Sequence, residues 1–284
     1  MPATFPDWLE PWLIDHLHAR PQALLLLAEP APGYQRIGVR LDNGEAVVVK
    51  RRPDRSGRTR GCVEAQRYCS EHGFPCAKPL TPSRVFDGVA THAEQWRPDG
   101  LPLSGADPNV AERFAQVLAG LGSLLTRVRA RPLPNPIWVD WASDSSAGQP
   151  PGPVRQIAER ASTRLASADL PLVLGHADWT AGNILWRGTR PWAVHNWDAL
   201  AFLPEAALVG AAADGYAEAG LAPVSSAQRF IDAYQSSRRR VFDADELRVA
   251  WAAGLWVAAH RAKDDARRAV LAAQADARLE LAGA

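Results

Sequence analysis

The sequence predicts an α+β fold in two parts, a small β-rich N-terminal part and a larger, mainly helical C-terminal part. Two turn signals, DNG at 42–44 and DG at 87–88, stand between apolar runs in the first part, as is typical of β-hairpins. In the second part, apolar residues recur mostly at helical spacing. The pattern changes near residues 96–100, so we place the two parts at 1–97 and 98–284.

Each part is predicted to contain several elements. In chain order, the first part has a helix (5–28), paired strands (36–41 and 46–51), a helix (61–72) and a second hairpin (83–98). The second part has two helices (109–129 and 153–166), two short buried strands (172–174 and 184–186) and three further helical segments (205–219, 226–237 and 244–281), the last with one or two breaks.

Composition excludes some classes of protein. Of 284 residues, 47% are hydrophobic, which is enough for a sizeable core. The 32 basic and 31 acidic residues give a net charge of +1, and a nucleic-acid-binding protein would usually be more basic. Three cysteines form neither a disulfide framework nor a zinc motif. The first residues lack the pattern of a signal peptide, and the longest apolar run, Val249–Ala259, is too short to span a bilayer, so we expect a cytoplasmic protein without nucleic-acid or membrane partners.

A cluster of polar residues lies between the two short strands of the second part. His176, Asp178 and Asn183 fit the pattern H-x-D-x-x-x-x-N, in the stretch VLGHADWTAGNILW. An aspartate in such a loop can accept the proton of an attacking hydroxyl, and an asparagine five residues later can bind magnesium through its amide oxygen. The alternative is a turn in which Asp178 and Asn183 only bond to the nearby backbone.

This loop resembles that of the aminoglycoside phosphotransferase and choline kinase family, which has a protein-kinase-like fold. The family loop commonly reads HGDLHPGNVL, and here it reads HADWTAGNIL. The resemblance implies a two-lobed kinase that uses ATP, with GTP as the alternative donor, together with Mg²⁺. It also implies that Asp178 is the catalytic base, that Asn183 is a metal ligand, and that His176 belongs to the catalytic loop as the residue that braces it.

The first part contains matches to two further residues of that family. Lys50 lies within the apolar strand AVVVKRR, where an isolated charge is costly unless it faces a partner or a cleft. The family uses such a lysine to hold the α- and β-phosphates and a helix glutamate to orient it, which implies that Lys50 and Glu64 contribute to nucleotide binding. The alternative for Lys50 is a side chain that reaches solvent at a strand edge. The segment contains no G-x-G-x-x-G motif.

Position 196 departs from the family pattern. The usual IDWD or IDFE begins with the main magnesium ligand, but here the run is HNWD, with Asn196 in that position. Asparagine offers a neutral oxygen and lacks the negative charge that a hard divalent cation prefers. Asp198 could supply this charge if the segment is extended, since positions 196 and 198 would then share a face. Two alternatives remain: Asn196 is a natural or engineered substitution that weakens the kinase, or the protein is a nucleotide-binding pseudokinase with a regulatory or scaffold role.

The expected acceptor is a small molecule that carries a hydroxyl group, such as an amino sugar, an aminoglycoside or a similar metabolite. Acidic and aromatic side chains of the second part could bind its amino groups or sugar faces. The candidates are Trp138, Asp140, Trp141, Glu205, Asp214, Asp232, Trp251, Trp256 and Asp264. The alternative is that the tryptophans pack in the core and the acids are solvated. The whole interpretation requires the Lys50 ammonium and the Asp178 carboxylate to face one another across a gap sized for a triphosphate.

Overall fold

The structure is a computed structural model of the chain. It describes residues 5–105, 107–128, 133–136, 139, 152–217 and 222–284. The chain forms two compact units, 1–99 and 100–284. The first is rich in β-structure and the second is mainly helical, so the predicted α+β fold is confirmed.

The first unit contains one five-stranded sheet and two helices. The sheet is antiparallel, and its strands lie in the order β1-β2-β3-β5-β4. The elements are α1 (Leu9–Leu17), β1 (Pro21–Ala31), β2 (Tyr34–Leu41), β3 (Ala46–Pro53), α2 (Arg58–Glu71), β4 (Arg84–Phe86) and β5 (Val89–Gln95).

The two predicted hairpins are present, but the helix predicted over residues 5–28 is wrong in its second half. The chain leaves α1 at His18, which adopts a left-handed conformation (φ 54°), and enters β1 at Pro21. Pro21 cannot donate the backbone hydrogen bond that a continuing helix needs. The apolar run after it instead pairs with β2, and a short apolar run does not distinguish helix from strand by its spacing alone.

The two faces of this sheet have different roles. Alternate residues of β3 and β5, among them Val47, Val49 and Ala93, pack with Leu9 and Leu13 of α1 in an apolar core. Because successive side chains of a strand point to opposite faces, the residues between them face away from this core.

The second unit consists of six helices and two small sheets among the described residues. Strands β7 and β10 form one antiparallel pair, and β6, β8 and β9 form the other sheet. The elements are β6 (Leu101–Pro102), α3 (Pro108–Leu125), α4 (Pro153–Ala166), β7 (Leu172–His176), β8 (Ile184–Arg187), β9 (Arg190–Val194), β10 (Leu200–Pro204), α5 (Glu205–Gly215), α6 (Val224–Arg238), α7 (Ala244–Arg261) and α8 (Asp265–Ala282).

Helices α5 and α7 pack very closely at their glycines. A Cβ atom at Gly210 would lie 1.8 Å from the carbonyl oxygen of Ala250, and one at Gly254 would lie 2.1 Å from Asp214 Oδ2. The helical segment predicted over 244–281 has a single break, between α7 and α8. Within the part of the chain that the structure describes, no helix combines the length and the apolar character needed to cross a membrane.

Candidate active site

His176 braces the loop that follows β7. Its ring is fully buried; Nε2 donates to the carbonyl oxygen of His195 (3.0 Å), and Nδ1 accepts from the backbone N–H of Asp178 (3.2 Å). Burial lowers the pKa of His176 below its ordinary value, although the Asp178 carboxylate opposes this shift. The neutral ring therefore joins β7 to the end of β9 and fixes the backbone that carries Asp178.

Three side chains converge on the half-buried carboxylate of Asp178. Asn183 and Asn196 each donate an amide N–H to Oδ2 at 2.8 Å, and Arg261 donates to Oδ1 at 2.7 Å. Asn183 also donates to the backbone oxygen of Asp178. The predicted residues Asp178, Asn183 and Asn196 thus form one cluster, in which the carboxylate is held in a single orientation.

The segment at Asn196 is not extended, so the condition under which positions 196 and 198 would share a face is not met. Asn196 adopts a left-handed conformation (φ 57°, ψ 44°), and a 3₁₀ turn follows at Trp197–Ala199. Asparagine tolerates this conformation better than most residues because its short polar side chain bonds locally. Asp198 is buried within the turn, close enough to His176 to oppose the lowering of the pKa of that ring.

Arg261 is the member of the cluster that the sequence did not indicate. It is the last residue of α7, more than eighty residues beyond Asp178. Gly215 of α5 makes room for it, since a Cβ atom there would lie 2.9 Å from Arg261 Nη1 and 2.7 Å from the carbonyl oxygen of Trp179. An arginine at a helix end is common, so only the packing of α5 and α7 distinguishes this one.

A pocket of about 490 Å³ opens beside Asp178 within the second unit. Its polar lining residues are Ser104, Asp178, Thr180, Arg261, Lys263 and Arg267. The carboxylate therefore lies at a site large enough for a small organic molecule.

In the first unit, the partner of Lys50 is Glu94 and not Glu64. The Lys50 ammonium lies 2.7 Å from Glu94 Oε1, and Gln66 donates to Glu94 Oε2 at 3.0 Å. Glu64 lies on the exposed side of α2 and pairs with Arg60 one turn earlier. The expected Lys50–Glu64 pairing fails because it is Gln66, two positions later, that lies on the buried side of α2.

The position of Glu94 follows from strand register. Val48 is opposite Glu94 and Lys50 is opposite His92, so Lys50 and Glu94 are diagonal neighbours on one face. Burial would raise the pKa of Glu94, but the Lys50 ammonium, His92 and the hydrogen bonds from Lys50 and Gln66 lower it below its ordinary value. The available signal was spacing of two on a predicted strand, which puts Glu94 and His92 on the face opposite to Ala93.

The described acids and tryptophans proposed for the acceptor are used elsewhere. Glu205 accepts from Tyr234, Arg238 and Arg240. Asp214 is buried against Arg278, and burial raises its pKa although Arg278 opposes this. Asp232 accepts a hydrogen bond from Gln228, and Asp264 accepts one from the backbone N–H of Arg267 at the start of α8. Trp251 and Trp256 are buried. Trp138, Asp140 and Trp141 lie outside the described residues.

The amide oxygens near Asp178 fit a magnesium ion that arrives bound to the phosphates of a nucleotide. Both amide nitrogens point at Asp178, so the Oδ1 atoms of Asn183 and Asn196 are the ones left for a cation. Among the described residues, no group of three or more His, Cys, Asp or Glu side chains could hold a metal ion by itself. Amide oxygens can ligate a hard cation, and the phosphate oxygens of the nucleotide would supply the negative charge that the two neutral amides lack.

Comparison with known proteins assigns the chain to a family. The model of the phosphotransferase enzyme family matches residues 34–194, more than half of the chain, and the protein belongs to this family. The comparison with curated proteins gave no match.

Solved structures of similar fold are phosphotransferases. Amicoumacin kinase hAmiN, in complex with AMP-PNP, Ca²⁺ and Ami, has a TM-score of 0.69 at 13% identity, over 96% of this chain and 94% of that one. Aminoglycoside-3'-phosphotransferase of type VIII has a TM-score of 0.59 at 16% identity, over 87% and 98%. Macrolide 2'-phosphotransferase MphH from Brachybacterium faecium has a TM-score of 0.57 at 18% identity, over 95% and 98%. These likenesses establish the protein-kinase-like fold.

Proposed function

We propose that this protein is an ATP-dependent phosphotransferase that phosphorylates a hydroxyl group of a small molecule. Asp178 accepts the hydroxyl proton while the acceptor oxygen forms a bond to the γ-phosphorus of ATP. The bond between that phosphorus and its bridging oxygen breaks, and ADP leaves. Candidate acceptors from the family resemblance are amino sugars, aminoglycosides and similar metabolites.

The single observation that carries this proposal is the arrangement around Asp178. Asn183, Asn196 and Arg261 hold its two carboxylate oxygens at 2.7–2.8 Å, beside a pocket of about 490 Å³. Orientation of this kind matters because phosphoryl transfer depends mainly on positioning and electrostatic stabilisation. His176 contributes by fixing the loop backbone and has no direct contact with a reacting atom in this scheme.

Other residues take supporting roles. Lys50 binds the α- and β-phosphates, and Glu94, in place of Glu64, fixes the position of its ammonium group. Asn183 and Asn196 would hold magnesium, with Asp198 as the nearby negative charge, and the ion would neutralise the triphosphate. GTP remains an alternative phosphoryl donor.

A pseudokinase is the second candidate, and one observation favours it. Asn196 donates its amide to Asp178 where the family usually has a metal-binding aspartate, so the cluster carries one negative charge fewer. Against this, the proposed base Asp178 is intact and accessible from the pocket.

The test measures ADP release with a panel of hydroxyl compounds for the wild type, Asp178→Asn and Asn196→Asp. Asp178→Asn should lower turnover about 10²–10⁴-fold and leave ATP binding unchanged, because it removes the proton acceptor and keeps the shape. Asn196→Asp should raise turnover by strengthening metal binding. If neither the wild type nor Asn196→Asp phosphorylates any acceptor, while both bind ATP, the pseudokinase is correct.

A further inference from the structure

The pocket beside Asp178 is lined by more positive than negative side chains. Three cationic residues, Arg261, Lys263 and Arg267, line it together with a single carboxylate, Asp178, among the described residues. They lie at the end of α7, in the connection to α8, and in the first turn of α8. The N-terminal end of α8 carries a partial positive charge that adds to theirs.

The acids near these cations are already engaged. Asp264 caps α8 by accepting from the backbone N–H of Arg267, and Asp265 pairs with Arg268. Asp178 accepts from Arg261. Among the described residues, an ammonium group of an acceptor would therefore meet cations in this pocket and no spare carboxylate.

Two of the cations are available to a ligand. Lys263 is exposed, and among the described residues no carboxylate pairs with it. Arg267 has one acidic partner, Asp264, at 3.4 Å, and both side chains are about half exposed. Exposed pairs of this kind contribute little, so Arg267 can exchange this partner for a better anion.

We infer that the acceptor is a hydroxyl compound that carries an anionic group, a carboxylate or a phosphate, bound by Lys263 and Arg267. This inference rests on the proposed function and replaces its amino-sugar and aminoglycoside candidates with anionic hydroxyl compounds. It also predicts discrimination against polycationic aminoglycosides, because like charges in one pocket repel. Ser104 and Thr180 supply hydroxyl groups that can bond to the polyol part of such an acceptor.

The test uses four compounds that share a six-carbon skeleton: glucose, glucosamine, gluconate and glucose 6-phosphate. Binding is measured by calorimetry at low and high salt, and turnover is measured with ATP. We expect gluconate or glucose 6-phosphate to bind at least about tenfold more tightly than glucose and glucosamine. This difference in affinity should become smaller at high salt, because salt screens the charges. The two anions distinguish a carboxylate from a phosphate. Equal binding of all four, or preference for glucosamine, would overturn the inference.

Variants then assign the effect to the pocket. Lys263→Glu and Arg267→Ala should each weaken binding of the preferred anion about tenfold and leave glucose binding unchanged, whereas Lys263→Arg should retain it. Arg155→Glu, an exposed charge reversal on α4 away from the pocket lining, is the matched control and should change nothing. An unchanged affinity of Lys263→Glu for the anion would contradict anion binding by Lys263. A variant that raises the KM for ATP and leaves the KM for the acceptor unchanged would also contradict it.

Failure of the inference and failure of the proposed function give different results. Anion binding that depends on Lys263 and Arg267, without phosphorylation of any compound, supports the charge preference and counts against phosphotransfer. Phosphorylation of glucosamine in preference to the anions supports phosphotransfer and refutes the charge preference.

Discussion

The two units each hold one ion pair that concerns the proposed chemistry, and the two pairs are built differently. Lys50 and Glu94 are nearly inaccessible, with side chains 9% and 4% exposed, and Gln66 completes their hydrogen bonding. Asp178 and Arg261 are 26% and 31% exposed, and both line a pocket.

This difference separates two ways in which a protein uses charge. A buried pair cannot change partner without losing stability, because either charge left alone would lack both water and a counter-ion. A partly exposed pair can accept a substrate hydroxyl or a competing anion at small cost. The Lys50 pair is therefore suited to fix a side chain in place, and the Asp178 pair to meet a ligand.

The largest effect on stability is expected for Glu94→Gln. It removes the carboxylate charge that lies 2.7 Å from the buried Lys50 ammonium, which should lower the free energy of unfolding by about 3–5 kcal/mol. Urea denaturation followed by tryptophan fluorescence measures this change. A loss below about 1 kcal/mol would show that the Lys50–Glu94 pair is not held as the structure indicates.

A smaller effect is expected for Gly215→Ala. The added Cβ would lie 2.7 Å from the Trp179 oxygen and 2.9 Å from Arg261 Nη1, so α5 or Arg261 must move. We expect a loss of about 1–3 kcal/mol in unfolding free energy and lower turnover. Gly120→Ala in α3 is the matched control, because its Cβ would meet nothing within 4 Å and should be neutral or slightly stabilising. Equal stabilities of the two variants would contradict the close approach.

The pH dependence of stability should distinguish the two units. The pKa of His176 is lowered from 6.5 by burial, so the unfolded chain binds a proton more readily and stability falls as the pH drops below 6.5. The pKa of Glu94 is lowered from 4.5, because Lys50, His92 and Gln66 outweigh its burial, so its contribution falls only below pH 4.5.

Urea denaturation at pH 7.5 and 5.5 tests the first of these windows. Wild-type stability should fall between the two values, and His176→Gln should show a smaller fall because it has no ring to protonate. An equal pH dependence in both proteins would exclude His176 as the cause.

The smallest effect is expected for Glu64→Gln. Its partner is Arg60, one turn away on the exposed side of α2, and such pairs contribute about 0.3–0.5 kcal/mol. Stability and ATP affinity should therefore stay near wild type, in contrast to Glu94→Gln. A large loss of ATP affinity in Glu64→Gln would restore the original assignment from the family resemblance.

Local patterns in the sequence predicted the α+β fold, the two hairpins and the loop with His176, Asp178 and Asn183, whereas Asn196 was indicated only by the resemblance to the phosphotransferase family. Turn residues and apolar periodicity act over a few positions, so they are readable without knowledge of the rest of the chain. The helix prediction over residues 5–28 failed because the run after Pro21 is stabilised by pairing with β2, and local spacing does not report such pairing.

The sequence by itself therefore determined most of the elements and placed Asp178 and Asn183 in one loop, because these features depend on residues close together in the chain. The tertiary structure decided which charges meet: strand register brings Glu94 to Lys50, and the packing of α5 on α7 brings Arg261 to Asp178. It also brings the neutral amide of Asn196 to Asp178 through a left-handed turn. Electrostatic partners act through space, so residues distant in sequence compete for each charge and only the folded chain selects one.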